Sequence, residues 1–149
     1  MKIEVPTEYD SVIIATHYLP PRCQDGLITD VLQDVASSHQ PYYFIGDLNA
    51  SAQVLRDRWT NDRGRMLAAY VQNHRVEHVT YFNTYFGSNG RRGKPDKIIT
   101  RTRSYLNTLI ERGPSTSRDQ SSIIMTISVK PIAVPIKPRY SPKQADWEA

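Results

Sequence analysis

The chain holds a single cysteine, Cys23. An internal disulfide and a thiolate metal cluster are therefore both excluded, and a reducing, intracellular setting is the simple reading. Long apolar runs are missing too. Val12-Ile13-Ile14-Ala15 is typical of the longest, far short of the ~20 residues of a membrane span or the ~7–15 of a secretory core. No membrane partner is expected. Acids run short in the second part of the chain. Residues 1–50 carry two Lys or Arg against seven Asp or Glu, whereas residues 51–149 carry seventeen against eight.

What is present suits a soluble globular domain. Hydrophobic residues make up 39% and charged residues 23% of 149 positions, enough for one sizeable core. Ten prolines are many for this length. Several fall in "KPIAVPIKPRYSPKQADWEA", which has neither helical nor strand period. The expected division is a domain over residues 1–130 and a Pro-rich extended linker over 131–149.

Periodicity places the elements. Residues 11–17 are apolar and β-branched, as a buried strand requires. Tyr18-Leu-Pro-Pro-Arg22 breaks that strand, and Asp25-Gly26 opens a helix with Leu27, Ile28, Val31, Leu32 and Val35 on one face. Residues 42–45 form a second buried strand. Asn61 and Asp62 are caps for a helix over 64–73, with Met66, Leu67, Tyr70 and Val71 inward. Strands are expected near 75–79, 81–86, 97–100, 105–111 and 122–129, with a turn-rich loop over 87–93. Strand–helix–strand order followed by strand-dense sequence implies an α/β or α+β fold with a mixed sheet.

Arg91, Arg92, Lys94, Lys97, Arg101 and Arg103 lie within thirteen residues, with Asp96 the only acid among them. Such a block suits a polyanion, because each phosphate neutralised releases counterions. A solvated face is the plainer alternative. In "YYFIGDLNA", Asp47 and Asn49 follow a buried strand, at the sheet edge where α/β proteins commonly bind ligands. The carboxylate could orient a water while the amide bonds a phosphate oxygen; an Asx turn is the ordinary alternative. Tyr18 ends a strand in "HYLPPR", Asp96 heads one in "GKPDKIIT", and Asp119 sits in the loop "GPSTSRDQ" before the last.

The order of these pieces is more specific than any one of them. Tyr before Pro-Pro, Gly-Asp-Leu-Asn, Arg-Gly-Arg at a helix start, Pro-Asp-Lys-Ile-Ile-Thr, then Arg-Asp-Gln before a strand resembles the endonuclease–exonuclease–phosphatase superfamily. Within it, the chain is similar to the apurinic-type endonuclease domain of non-LTR (LINE-like) retrotransposons over roughly residues 9–130. The tail resembles the segment joining that domain to a reverse transcriptase in the parent polyprotein. The resemblance implies the C-terminal portion of a four-layer α/β/β/α sandwich with mixed, mainly antiparallel sheets. It further implies Mg²⁺ (or Mn²⁺), hydrolysis of a phosphodiester to nick duplex DNA, and a nuclear location.

By the same resemblance, Asp47 is the water-orienting base, Asn49 a phosphate ligand, and Tyr18 a stabiliser of charge on phosphorus. Asp119 is the acid near the metal, and Asp96 orients its neighbour. Arg91 to Arg103 grip DNA. Two departures stand out. The family's Ser-Asp-His is Arg118-Asp119-Gln120 here, and an amide cannot ionise as a histidine does. The strands that carry the family's Asn and metal-binding Glu are also expected to be missing, with Glu4 and Glu8 ahead of the first strand. An N-terminally truncated sandwich would leave an open sheet edge, to be covered by a partner, a second copy or a rearranged N-terminus. The expected function is endonuclease with impaired catalysis; the alternative is a DNA-binding remnant. A third reading comes from His74-Arg-Val-Glu77-His78, the H-x-x-E-H pattern of zinc proteases, with Glu148 as third ligand. That pattern requires one helix face, while Val76 and Val79 favour a strand.

Overall fold

The computed structural model describes residues 1–117 and 119–134. The Pro-rich stretch beyond 134, with Glu148, lies outside them, as does Arg118. Two helices and nine strands follow in the order β1 (Lys2–Pro6), β2 (Ser11–Thr16), α1 (Leu27–Ala36), β3 (Tyr42–Asp47), α2 (Asp62–Asn73), β4 (Glu77–His78), β5 (Tyr85–Phe86), β6 (Arg92–Gly93), β7 (Asp96–Arg101), β8 (Asn107–Ser115) and β9 (Ser121–Ser128). A five-stranded sheet runs β1-β2-β3-β7-β4. Only β2 and β3 are parallel, joined through α1; the other pairs are antiparallel. β8 and β9 form an antiparallel pair of their own, and β5 with β6 a short ribbon.

Alternation along the central strands divides the core between two faces. Ile13, Ala15, Tyr42, Phe44 and Ile99 pack beneath the helices, against Ile28, Leu32 and Val35 of α1 and Leu67 and Tyr70 of α2. Val12, Tyr43 and Ile98 point the other way, onto Leu106 and the inner residues Ile110, Ile123 and Met125 of the β8–β9 pair. The layers are thus helices, sheet, sheet. Mixed α and β content with mainly antiparallel sheets agrees with the expected class. Among the described residues no helix covers the outer face of β8–β9, so three of the four expected layers are seen.

Two sequence-based expectations need correction. Residues 2–6 are not a lead-in but a strand, antiparallel to β2 with Ile3 opposite Ile14 and Val5 opposite Val12. Its residues are all exposed, Lys2 and Glu4 alternating with Ile3 and Val5, a weak signal beside the fully buried neighbour. The chain's own N-terminal segment therefore pairs with the edge of β2, and β1 becomes the outer strand of the sheet. The strands expected at 75–79 and 81–86 shrink to two residues each. Buried Thr80 explains part of this, since its hydroxyl accepts from Ile98 N at 2.9 Å in place of a ladder bond.

Helix α2 starts at the cap the sequence offers. Asn61 accepts from Gly64 N through its side chain, satisfying one of the open donors of the first turn. Met66, expected inward, is 41% exposed; the buried face of α2 follows Arg63, Gly64, Leu67 and Tyr70 instead. The helix ends at Asn73 with His74 as its cap, and His78 belongs to β4. The two histidines do not share a helix face, so the zinc-protease reading of residues 74–78 fails on geometry.

Candidate active site

Parallel strands end side by side. Thr16 of β2 is in register with Ile45 of β3, so the loops carrying Tyr18 and Asn49 leave the sheet together. β7 runs the opposite way and begins there, with Asp96 directly opposite Asp47. The loop before β9 reaches the same corner from the second sheet. The outcome is a cleft of about 440 Å³ whose wall includes His17, Tyr18, Asp47, Asp96, Gln120 and Ser122. Gly46 permits the close approach: a Cβ there would lie 1.9 Å from the His17 carbonyl oxygen.

Asp47 is the most constrained group in the cleft. Burial, followed by the negative charge of Asp96, holds its carboxyl above the ordinary carboxylate range, with hydrogen bonding from Asn49 opposing both. Asn49 adopts a left-handed backbone, φ 47°, which Asn tolerates better than most residues. From there its Nδ2 donates to Asp47 Oδ1 at 2.9 Å and to the Leu19 carbonyl at 3.0 Å. Both amide hydrogens are thus engaged, and Asn49 serves here to orient Asp47 rather than to offer a free donor to a phosphate. Tyr18 stands at the rim, 61% exposed. Gln120 is also exposed; its backbone carbonyl accepts from Thr116 N, and a bridge to Tyr85 fixes its strand end.

Asp119 is placed differently. Ser117 donates to its Oδ1 at 3.0 Å, its carbonyl accepts from Phe86 N, and it is not part of the cleft wall. Among the described residues no three His, Cys, Asp or Glu side chains gather where a cation could sit. A cation held in the cleft would rest on two facing carboxylates at most, Asp47 and Asp96, as Mg²⁺ does where substrate phosphate and water complete its shell.

Sequence reasoning missed Arg63. Its guanidinium is 2% exposed, entering from the first turn of α2. It donates to the carbonyls of Leu19, Pro20 and Leu48 at 3.1–3.3 Å and to the carbonyl and sulfur of Cys23 at 2.9 and 3.0 Å. Asp25 lies 3.5 Å from Nε, an ion contact too poorly directed to be a hydrogen bond. One buried fork thus ties the Tyr18 loop to the Asp47 loop. The signal available in the sequence was Arg-Gly at a helix start: a Cβ at Gly64 would lie 1.8 Å from the Ser51 carbonyl oxygen, so helix and loop are pressed together there.

The basic block divides. Arg91 and Arg92 are exposed on the β5–β6 ribbon side. Lys94 donates to the Arg56 carbonyl. Lys97 is not on a surface at all: it is fully buried and bonds both Asp57 oxygens at 2.8–2.9 Å. Arg101 caps the Ala36 and Gln40 carbonyls and lies over the Tyr42 ring, and Arg103 donates to His39. Arg101 ends β7, ~16 Å from Asp96 at strand rise, and Arg103 follows just beyond the strand. Burial on Asp57 thus withdraws Lys97 from the basic block expected from spacing, and Arg101 is tied to the protein's own carbonyls, while Arg103 stays exposed beside its one bond to His39.

No protein-family model matches this chain, and no curated protein does. Among solved structures it is similar to the endonuclease domain of TRAS1, a telomere-specific non-LTR retrotransposon, with a TM-score of 0.70 at 14% identity. The match covers 85% of this chain and 62% of that one. At that identity the likeness establishes a shared fold, and this chain spans about three fifths of its neighbour's length.

Proposed function

We propose that this chain is an endonuclease-type domain that binds duplex DNA and attacks its phosphodiester backbone, with catalysis impaired. The observation that carries the reading is the convergence of Tyr18, Asp47, Asp96 and Gln120 in one cleft of a fold shared with the endonuclease domain of a telomere-specific non-LTR retrotransposon. Asp47 is suited to a general base, because its raised carboxyl draws closer to the operating pH. In the proposed step water attacks phosphorus, its proton passes to Asp47, and the bond from phosphorus to the leaving sugar oxygen breaks. Tyr18 is free to donate to the phosphate oxygens as charge builds. The Gln120 amide donates a hydrogen bond but no proton, so the leaving oxygen is protonated by solvent. Loss of such help lowers rates by ~10²–10⁴.

The same reading carries a nuclear location, and a reverse transcriptase domain as neighbour in a parent polyprotein. A second reading, a DNA-binding remnant without chemistry, is favoured by Gln120, whose amide cannot ionise as a histidine does. Nicking of supercoiled plasmid with Mg²⁺ or Mn²⁺ separates the two. Expected is slow nicking, abolished by Asp47→Ala and accelerated by Gln120→His. Nicking that survives Asp47→Ala would overturn the assignment; no nicking by any variant, with DNA still bound, would leave the remnant.

A further inference from the structure

The loop between the short 3-10 turn Gln53–Leu55 and α2 contains Arg56-Asp57-Arg58-Trp59. Its one acid is turned inward. Asp57 Oδ2 caps Ala52 N at 2.9 Å, and both its oxygens hold buried Lys97. With Asp57 so engaged, Arg56 and Arg58 are left exposed with no acid of the loop beside them, and Trp59 is 51% exposed. Arg56 has a left-handed backbone, φ 65°, and its guanidinium stacks 4.9 Å from the Tyr81 ring centre. Tyr81 is itself 57% exposed and forms part of the wall of an open pocket. Lys94 adds a cation at Arg56, bonding its carbonyl. The local potential is positive enough to act on a neighbour: His78 is pushed down to about 3, by burial first and then by Lys97, Lys94 and Arg56.

Cations with accessible aromatic rings have a different use from cations alone. Phosphates of an intact duplex are met by Arg and Lys without help from rings, because base faces are hidden in the stack. Exposed rings beside cations suit a strand whose bases are unpaired and free to stack. The anchor fixes where that strand would lie. Lys97 follows Asp96 in β7, so the loop is pinned one residue from the cleft wall, on the helix side of the sheet.

We infer that Arg56, Arg58 and Trp59, with Tyr81 and Lys94, form a contact surface for an unpaired nucleic-acid strand flanking the cleft. The inference rests on the reading of this chain as DNA-acting and adds the form of DNA it meets. Binding of a fluorescent oligothymidylate and of a blunt duplex, followed by anisotropy, tests it. Chain carrying Trp147→Phe keeps Trp59 as its one tryptophan, so quenching by the oligothymidylate reads stacking directly. Expected are quenching of Trp59, roughly 5- to 100-fold weaker oligothymidylate binding in Trp59→Ala and about 30-fold or greater loss in Trp59→Ala/Tyr81→Ala, with duplex binding changed far less. Tyr81→Phe keeps a ring and should bind as the parent does. No quenching, or oligothymidylate binding unchanged in the double variant, would overturn the inference. Plasmid nicking reads the endonuclease proposal separately, since neither ring belongs to the cleft.

Discussion

The Lys97–Asp57 pair gives the sharpest stability test. Both side chains are buried, 0% and 5% exposed, and burial pushes the Lys97 ammonium below its usual value even with Asp57 opposing. In Lys97→Met the Asp57 carboxylate keeps only the Ala52 N–H as a donor. Removing one partner of a buried pair leaves an uncompensated charge and costs about 3–5 kcal/mol. With a urea slope of ~2 kcal/mol per molar, typical of small domains, the unfolding midpoint falls by roughly 1.5–2.5 M. Lys97→Met with Asp57→Leu removes both charges and leaves one N–H unmade, so most of that loss should return, with a residue of about 1–3 kcal/mol. Urea unfolding followed by circular dichroism measures all three proteins. A loss below about 1 kcal/mol in the single variant, the worth of an exposed pair, would refute the reasoning and return Lys97 to the surface role its sequence context suggested.

Two further outcomes follow from the cleft and its supports. Asp47 has a native carboxyl raised above the 3.8 of the ordinary group, so it favours folding below that value and loses this as pH rises through the native one. Asp47→Asn, neutral throughout, should therefore raise the urea midpoint at neutral pH and give no gain near about pH 3; a lower midpoint at neutral pH would contradict the electrostatics. Gly64→Ala drives a Cβ into Ser51 backbone atoms and should cost about 3 kcal/mol, the upper end of overpacking. Gly26→Ala meets nothing within 4 Å at φ −63° and should stabilise by about 0.4–1 kcal/mol; equal effects in urea unfolding would refute the contrast.

The sequence by itself determined what depends on local pattern. The apolar run of β2, the face of α1 and the Asn61 cap of α2 were legible because hydrophobic period and capping chemistry act within a few residues. The order of Tyr18, Asp47, Asn49, Asp96, Asp119 and Gln120 pointed to one site through its resemblance to a known family; four of them line the cleft, while Asn49 and Asp119 do not form its wall. Exposed β1 escaped notice, having no buried run to mark it. Only the tertiary structure decided which charges are free. Lys97 and Arg101 look like surface cations in a basic block, yet one is buried on Asp57 and the other caps the end of α1. Arg63 was visible only as part of Arg-Gly-Arg at a helix start, yet it joins the two loops of the cleft. The physical reason is that a long cationic side chain takes its role from acceptors tens of residues away, and only folding brings those within reach.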